Sequence, residues 1–324
     1  MLLNKRQISN LLLLVVTTVI CLLIAEIGIR IIFKDRLRVQ DERNLIYRYD
    51  SKLGWFPIEN SAKHYKGSRL IDVVHNSRGF RDDEHSVSAN PRIMFLGDSY
   101  VWGYDVEQKE RFTEKLDKAL INWSVYNLGV SGYGTDQEYL ILQQHYDFYK
   151  PNIVFLVFCA DNDELDNTSN QRYGGYYKPY FVINGEDLEL RGIPVPKSEK
   201  YFLVNHDILA QSYLFRLAVK GFFKLINPPY LEIENPTHKI ISDIYDLSKD
   251  KDFLFIVGLQ EESPELELFL TNKKIPYVPL SNPHRYSSHG HHWTPEGHTF
   301  VAERIYDFLM KNDYLTTEAM PHKG

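Results

Sequence analysis

With 324 residues and 44% hydrophobic content, the chain can bury a sizeable core, as one large domain or two small ones. A net charge of -6 leaves no basic footprint for a phosphate backbone, so nucleic acid is excluded as an expected partner. The two cysteines, Cys21 in an apolar run and Cys159 in an expected buried strand, make no disulfide framework.

Residues 1–7 form a short polar tail. Ile8–Phe33 then runs apolar except for Glu26 and Arg30, long enough at ~1.5 Å per residue to cross a ~30 Å hydrocarbon core. Glu26 and Arg30 are four apart and share a helix face, where they can pair. A cleaved signal peptide is the competing reading; no A-x-A-like site follows the run, which favours an uncleaved transmembrane anchor and a lipid bilayer as partner. Arg30, Lys34, Arg36 and Arg38 outnumber Lys5 and Arg6, so a positive-inside count would keep the body in the cytoplasm. Residues 34–90 are expected to be a stalk and capping segment, with Trp55, Phe56 and Phe80 available to pack and the charge run Arg81–Glu84 as a solvated turn.

From Arg92 the pattern alternates strand and helix, the signature of a parallel sheet covered on both faces: a three-layer α/β/α sandwich. Strands are expected at 93–96, 124–128, 153–159, 253–257 and 277–280. Helices are expected at 108–122, 136–149 and 264–272, with a last one beginning near Pro295, a residue suited to a first helical turn. Residues 163–248 interrupt the alternation. Tyr173, Tyr176, Tyr177 and Tyr180 in this insertion suit either a lid or acceptor groove for sugar rings or simple packing on the sheet, and Ile208–Ile226 is amphipathic. The main domain is set at 91–312, with a tail at 313–324.

The first strand delivers Ser99 in GDSY just past its end, where open α/β sheets present ligands. Gly129 lies in NLGVSGYG after the second strand, Asn162 in ADND after the third, and His292 in HWTPEGH near the C-terminus. In these four blocks and their order the chain resembles the SGNH hydrolases, the GDSL-type esterase and acyltransferase superfamily. NSRGFRDDE at residues 76–84 resembles the segment leading into the first strand of membrane-anchored relatives. The resemblance implies an SGNH, flavodoxin-like sandwich and no cofactor. It makes Ser99 the nucleophile and His292 the general base. The backbone N–H groups of Ser99 and Gly129, with the Asn162 amide, become the oxyanion hole. It further implies an exported body and an acyl ester substrate, foremost an O-acetylated cell-surface saccharide. A non-catalytic saccharide-binding or assembly protein on the same fold is the alternative.

Two positions depart from the pattern. Ala160 stands where the third block usually has glycine, and the acid expected two or three residues before His292 is replaced by Gly290 and His289. His289 therefore stands at the acid position without a carboxylate, and His292 is expected to be oriented by a backbone carbonyl, or else by an acid from elsewhere in the chain, the third reading being a poor catalyst. Other readings fall away. Gly129, Gly132 and Gly134 do not have G-x-G-x-x-G spacing, and Val101 breaks the G-x-S-x-G elbow. The histidines 284, 289, 291, 292 and 298 lack the cysteine or HExxH partners of a zinc site, so no metal is expected.

Overall fold

The structure is a computed structural model and describes residues 4–39, 45–85, 91–160 and 162–315. The outermost parts of both expected tails, part of the expected stalk and Asp161 of the ADND block lie outside these residues. The chain forms two compact units, Met1–Leu45 with Lys197–Pro229, and Ile46–Pro196 with Tyr230–Gly324.

The larger unit opens with two antiparallel hairpins, β1 (Tyr47–Asp50) with β2 (Gly54–Pro57) and β3 (Ala62–Lys66) with β4 (Leu70–Val74). Five strands then build the central sheet: β5 (Arg92–Gly97), β6 (Ser124–Asn127), β7 (Ile153–Phe158) and, after the small hairpins β8–β11 between Gln171 and Arg191, β12 (Leu254–Leu259) and β13 (Tyr277–Pro279). They pair in parallel in the order β13-β12-β7-β5-β6. Every residue of β7 is buried and β5 is buried from Ile93 onward, as continuous apolar runs require in a sheet covered on both faces. Helices at Phe112–Ala119, Thr135–Tyr149, Thr237–Lys251, Pro264–Lys273 and Pro295–Lys311 supply the cover. One core runs through Phe95, Phe112, Phe155, Ile256, Trp293 and Ile305.

The chain leaves β5 toward β6 on one side and returns past it to β7 on the other, so β5 sits where the winding direction reverses. That is where the crevice at the strand ends opens in α/β sheets. The expected five strands and the three-layer arrangement are all present. Two readings need correction. Thr237–Lys251, which begins inside the stretch read as an insertion and runs past its end at 248, is the helix leading into β12. The run Arg81–Glu84 is a solvated turn only in its second half: Asp83 and Glu84 are exposed, but Arg81 is fully buried and Asp82 nearly so. Arg81 donates to the carbonyls of Gly103 at 2.6 Å, Val106 at 2.8 Å and Asp72 at 2.9 Å, so a guanidinium fills a space lined by backbone carbonyls.

The smaller unit contains the helix Lys5–Ile32, begun by a capping box between Asn4 and Gln7. It is long and apolar enough to cross a membrane, with a mean hydropathy of 2.7 and none of its residues buried. The same unit holds two shorter helices, Glu199–Val204 and Tyr213–Ile226.

Candidate active site

Asp98 ends the first sheet strand and caps the short helix Ser99–Trp102, its Oδ1 accepting the Tyr100 N–H at 2.9 Å. This turn leaves Ser99 Oγ at the edge of the sheet, 2.8 Å from His292 Nε2 and 3.3 Å from Asp98 Oδ2. A histidine 193 residues away in sequence therefore faces the serine at hydrogen-bond distance. Its loop is pinned from several directions. The Tyr100 hydroxyl donates to the carbonyls of Gly290 at 3.1 Å and His291 at 3.3 Å, and the Tyr286 N–H donates to the His292 carbonyl at 2.9 Å. The Tyr104 ring stacks on the imidazole with centroids 4.3 Å apart.

Gly290 shows why an acid cannot stand two residues before the histidine. Its φ is +76°, and a Cβ there would lie 2.5 Å from His292 Cε1. The His289 side chain lies outside the described residues. The imidazole's other nitrogen, Nδ1, faces the carboxylate of Asp105, with Oδ2 at 3.8 Å. Asp105 is therefore a candidate for the acid from elsewhere in the chain, beside the expected backbone carbonyl. The separation exceeds a direct hydrogen bond, though catalytic contacts commonly tighten once substrate is bound.

Asp105 is fully buried and adopts φ +66°, a conformation that aspartate tolerates better than most residues. The Ser68 N–H at 2.6 Å and hydroxyl at 2.7 Å both donate to its carboxylate. Gly67 makes room, because a Cβ there would sit 2.1 Å from Asp105 Oδ1. Sequence reasoning missed Asp105, Tyr104 and Ser68. The available signal was local: Asp105 follows directly on the GDSYVWGY stretch and lies six residues from the serine.

The remaining positions converge on the same rim. Asn162 Nδ2 is 3.4 Å from Asp98 Oδ2, which places its amide beside the serine turn. Gly129 packs so closely on the serine helix that a Cβ would lie 2.5 Å from the Trp102 nitrogen, explaining the need for glycine. Its N–H donates to Asn127 Oδ1 at 3.0 Å, and the Asn162 amide donates to Asp98 Oδ2 and Cys159 Sγ, so both would exchange these partners to meet a developing oxyanion. The tyrosines read as groove candidates divide: Tyr176 is buried against Trp55, with Tyr173 also at that ring, whereas Tyr173 is itself exposed. Among the described residues no group of three or more histidine, cysteine or acidic side chains is arranged to hold a metal.

Fold and site together define a parallel α/β sandwich that presents a serine–histidine pair at its switch point. No family model and no curated protein matches the chain in sequence. Solved structures with a similar fold include a lipolytic protein of the G-D-S-L family from Veillonella parvula, 14% identical, covering 68% of this chain and 98% of its own, at a TM-score of 0.40. The esterase EstA from a Pseudoalteromonas species is 10% identical, covering 69% and 100%, also at 0.40. A two-domain esterase active on acetylated mannans is 12% identical, covering 72% and 51%, at 0.38.

Proposed function

We propose that the chain is a membrane-anchored serine hydrolase of the SGNH type that cleaves or transfers acyl groups, with O-acetyl esters of a cell-surface carbohydrate as its substrate class. The observation that carries this reading is the 2.8 Å approach of His292 Nε2 to Ser99 Oγ on a buried, braced turn. In the first half-reaction Ser99 Oγ attacks the ester carbonyl and its proton passes to His292 Nε2. The carbonyl oxygen becomes negative between the Ser99 N–H and the Asn162 amide, each such donor being worth about 3 kcal/mol in the transition state. Collapse breaks the ester C–O bond, and the leaving alkoxide takes the proton back from His292. Water or a sugar hydroxyl then attacks the acyl-serine, giving its proton to His292, and the serine leaves with that proton. Asp105, facing Nδ1, favours the imidazolium that forms in each step.

The helix Lys5–Ile32 anchors the protein, and the hydrolase body stands on the exported face of the membrane, in line with the resemblance to anchored relatives and against the simple charge count. Labelling with a serine-directed phosphonate, mapped by peptide mass, tests the nucleophile. Modification confined to Ser99 supports the mechanism. Saccharide binding without labelling would instead support a non-catalytic carbohydrate-binding protein. Acyl release measured with and without a sugar acceptor separates transfer from hydrolysis.

A further inference from the structure

The smaller unit contains an apolar surface that the anchor reading leaves unexplained. On the helix Tyr213–Ile226, Leu214, Leu217, Ala218, Gly221, Phe222 and Leu225 follow i, i+3, i+4, i+7, i+8, i+11 spacing and form one stripe. Phe222 is 58% and Leu225 86% exposed, and a Cβ on Gly221 would meet nothing within 4 Å. The helix already has a different packing face: Phe215, Val219 and Phe223 join Val39, Leu203 and Ala210 in a small core. Arg216, Lys220 and Lys224 occupy the third face. The open stripe is therefore additional to the packing face.

Its location is set by Glu26. That carboxylate accepts the N–H groups of Tyr213 at 2.8 Å and Leu214 at 2.9 Å and the Ser212 hydroxyl at 2.9 Å, while pairing with Arg30 at 3.1 Å. An acid within an apolar span needs such partners, and this one finds them at the start of the second helix. Ile27, Ile31 and Ile32 continue the exposed apolar surface beyond Glu26, and Ile32 is about 9 Å further along the axis at ~1.5 Å per residue. The second helix thus begins inside the last apolar turns of the first, at the ~5–10 Å depth where amphipathic helices lie in the headgroup and acyl boundary. Lys220 Nζ donates to the Arg36 carbonyl at 3.0 Å, adding positive charge just past the span.

We propose that Tyr213–Ile226 is an interfacial helix, its Leu214–Leu225 stripe inserted into the same bilayer that holds Lys5–Ile32 and its exposed Lys224 facing anionic headgroups. The proposal rests on the anchor reading. It goes beyond that reading by giving the protein a second, lateral membrane contact.

The test uses the full chain, with Cys21→Ser to remove the exposed native thiol, reconstituted in mixed phosphatidylcholine–phosphatidylglycerol vesicles. Nitroxides are placed singly through Phe222→Cys, Leu225→Cys, Lys224→Cys and Val16→Cys, and collisions with oxygen and with a water-soluble nickel chelate are compared. The expected result is a preference for oxygen at 222 and 225, reversed at 224. Preference for nickel at 222 and 225 would overturn the proposal. So would occlusion from both reagents, which means that protein covers the stripe. Val16 distinguishes the two readings: an oxygen preference there with nickel access at 222 and 225 removes the interfacial helix alone, whereas nickel access at Val16 removes the anchor and the proposal with it.

Discussion

At the scale of single residues the proposed chemistry depends on a short chain of contacts from Ser99 through His292 to Asp105. Groups that act as one unit are strongly non-additive, so Ser99→Ala and His292→Ala are each expected to abolish ester turnover by about as much as both together. Steady-state assays on an aryl acetate check this, and full activity in Ser99→Ala would refute the mechanism. Asn162→Ala removes a single oxyanion donor and is expected to cost about 10²–10³ in kcat with little change in KM. Asp105→Asn keeps shape and burial but removes the charge beside Nδ1. Loss of such a carboxylate can cost up to about 10⁴ in rate; the 3.8 Å separation here favours a smaller loss, about 10² or more. A nearby anion raises a histidine's pKa, so the acid limb of the pH–rate profile should move to lower pH in Asp105→Asn. A merely structural aspartate would lower activity through folding without moving that limb.

At the scale of elements the site is held by a segment before the first sheet strand. Arg81, in the NSRGFRDDE stretch, fixes the Gly103–Val106 turn that carries Tyr104 and Asp105, and its side chain lies over the Trp102 ring at 4.8 Å. Burial, reinforced by the nearby Arg111, lowers the Arg81 pKa to about 9, which still leaves it charged at neutral pH. Arg81→Met would leave the Gly103, Val106 and Asp72 carbonyls without this donor at roughly 1–3 kcal/mol each. The expected outcome is a loss of at least about 3 kcal/mol in urea unfolding, and lower kcat even where the variant is folded. The five sheet strands were legible because continuous apolar runs bounded by turn residues announce a doubly covered parallel sheet. Ser99, Asn162 and His292 were legible because each lies just past such a run or inside a recognisable block. Arg81 was not, since a charge run such as RDDE has the composition of a surface turn, and only the tertiary fold brings three carbonyls to one guanidinium. Asp105 escaped for a related reason: its partner His292 lies far along the chain, and no periodicity links the two.

At the scale of the whole molecule, buried titratable groups make stability depend on pH in opposing directions. Burial lowers His75 and His145 to about 4 and holds His298 well below its ordinary value. These rings are neutral in the folded protein and protonate near 6.5 when it unfolds, so the unfolded chain binds more protons between about 4 and 6.5 and stability falls with acidification across that window. Glu138 and Asp163 act oppositely. Burial, together with the charges of Asp98 and Asp136 and, for Glu138, of Asp163, raises both well above ordinary carboxylates, so the folded state gains on them as pH falls. Because the net slope mixes both signs, the histidine contribution is best isolated at one site. His145 lies on the Thr135–Tyr149 helix, stacked on Phe56 and edge-on to Phe80, with Arg78 as the nearby cation that adds to the effect of burial. His145→Gln removes this titration while leaving the other groups in place. Between about pH 7 and pH 4 the wild-type chain should therefore lose about 3 kcal/mol more stability than the variant, since each pH unit separating the folded and unfolded pKa values is worth about 1.4 kcal/mol. Urea unfolding of both proteins across that range measures the difference directly. Parallel curves would show that His145 titrates alike in both states, and its burial would then carry no acid sensitivity.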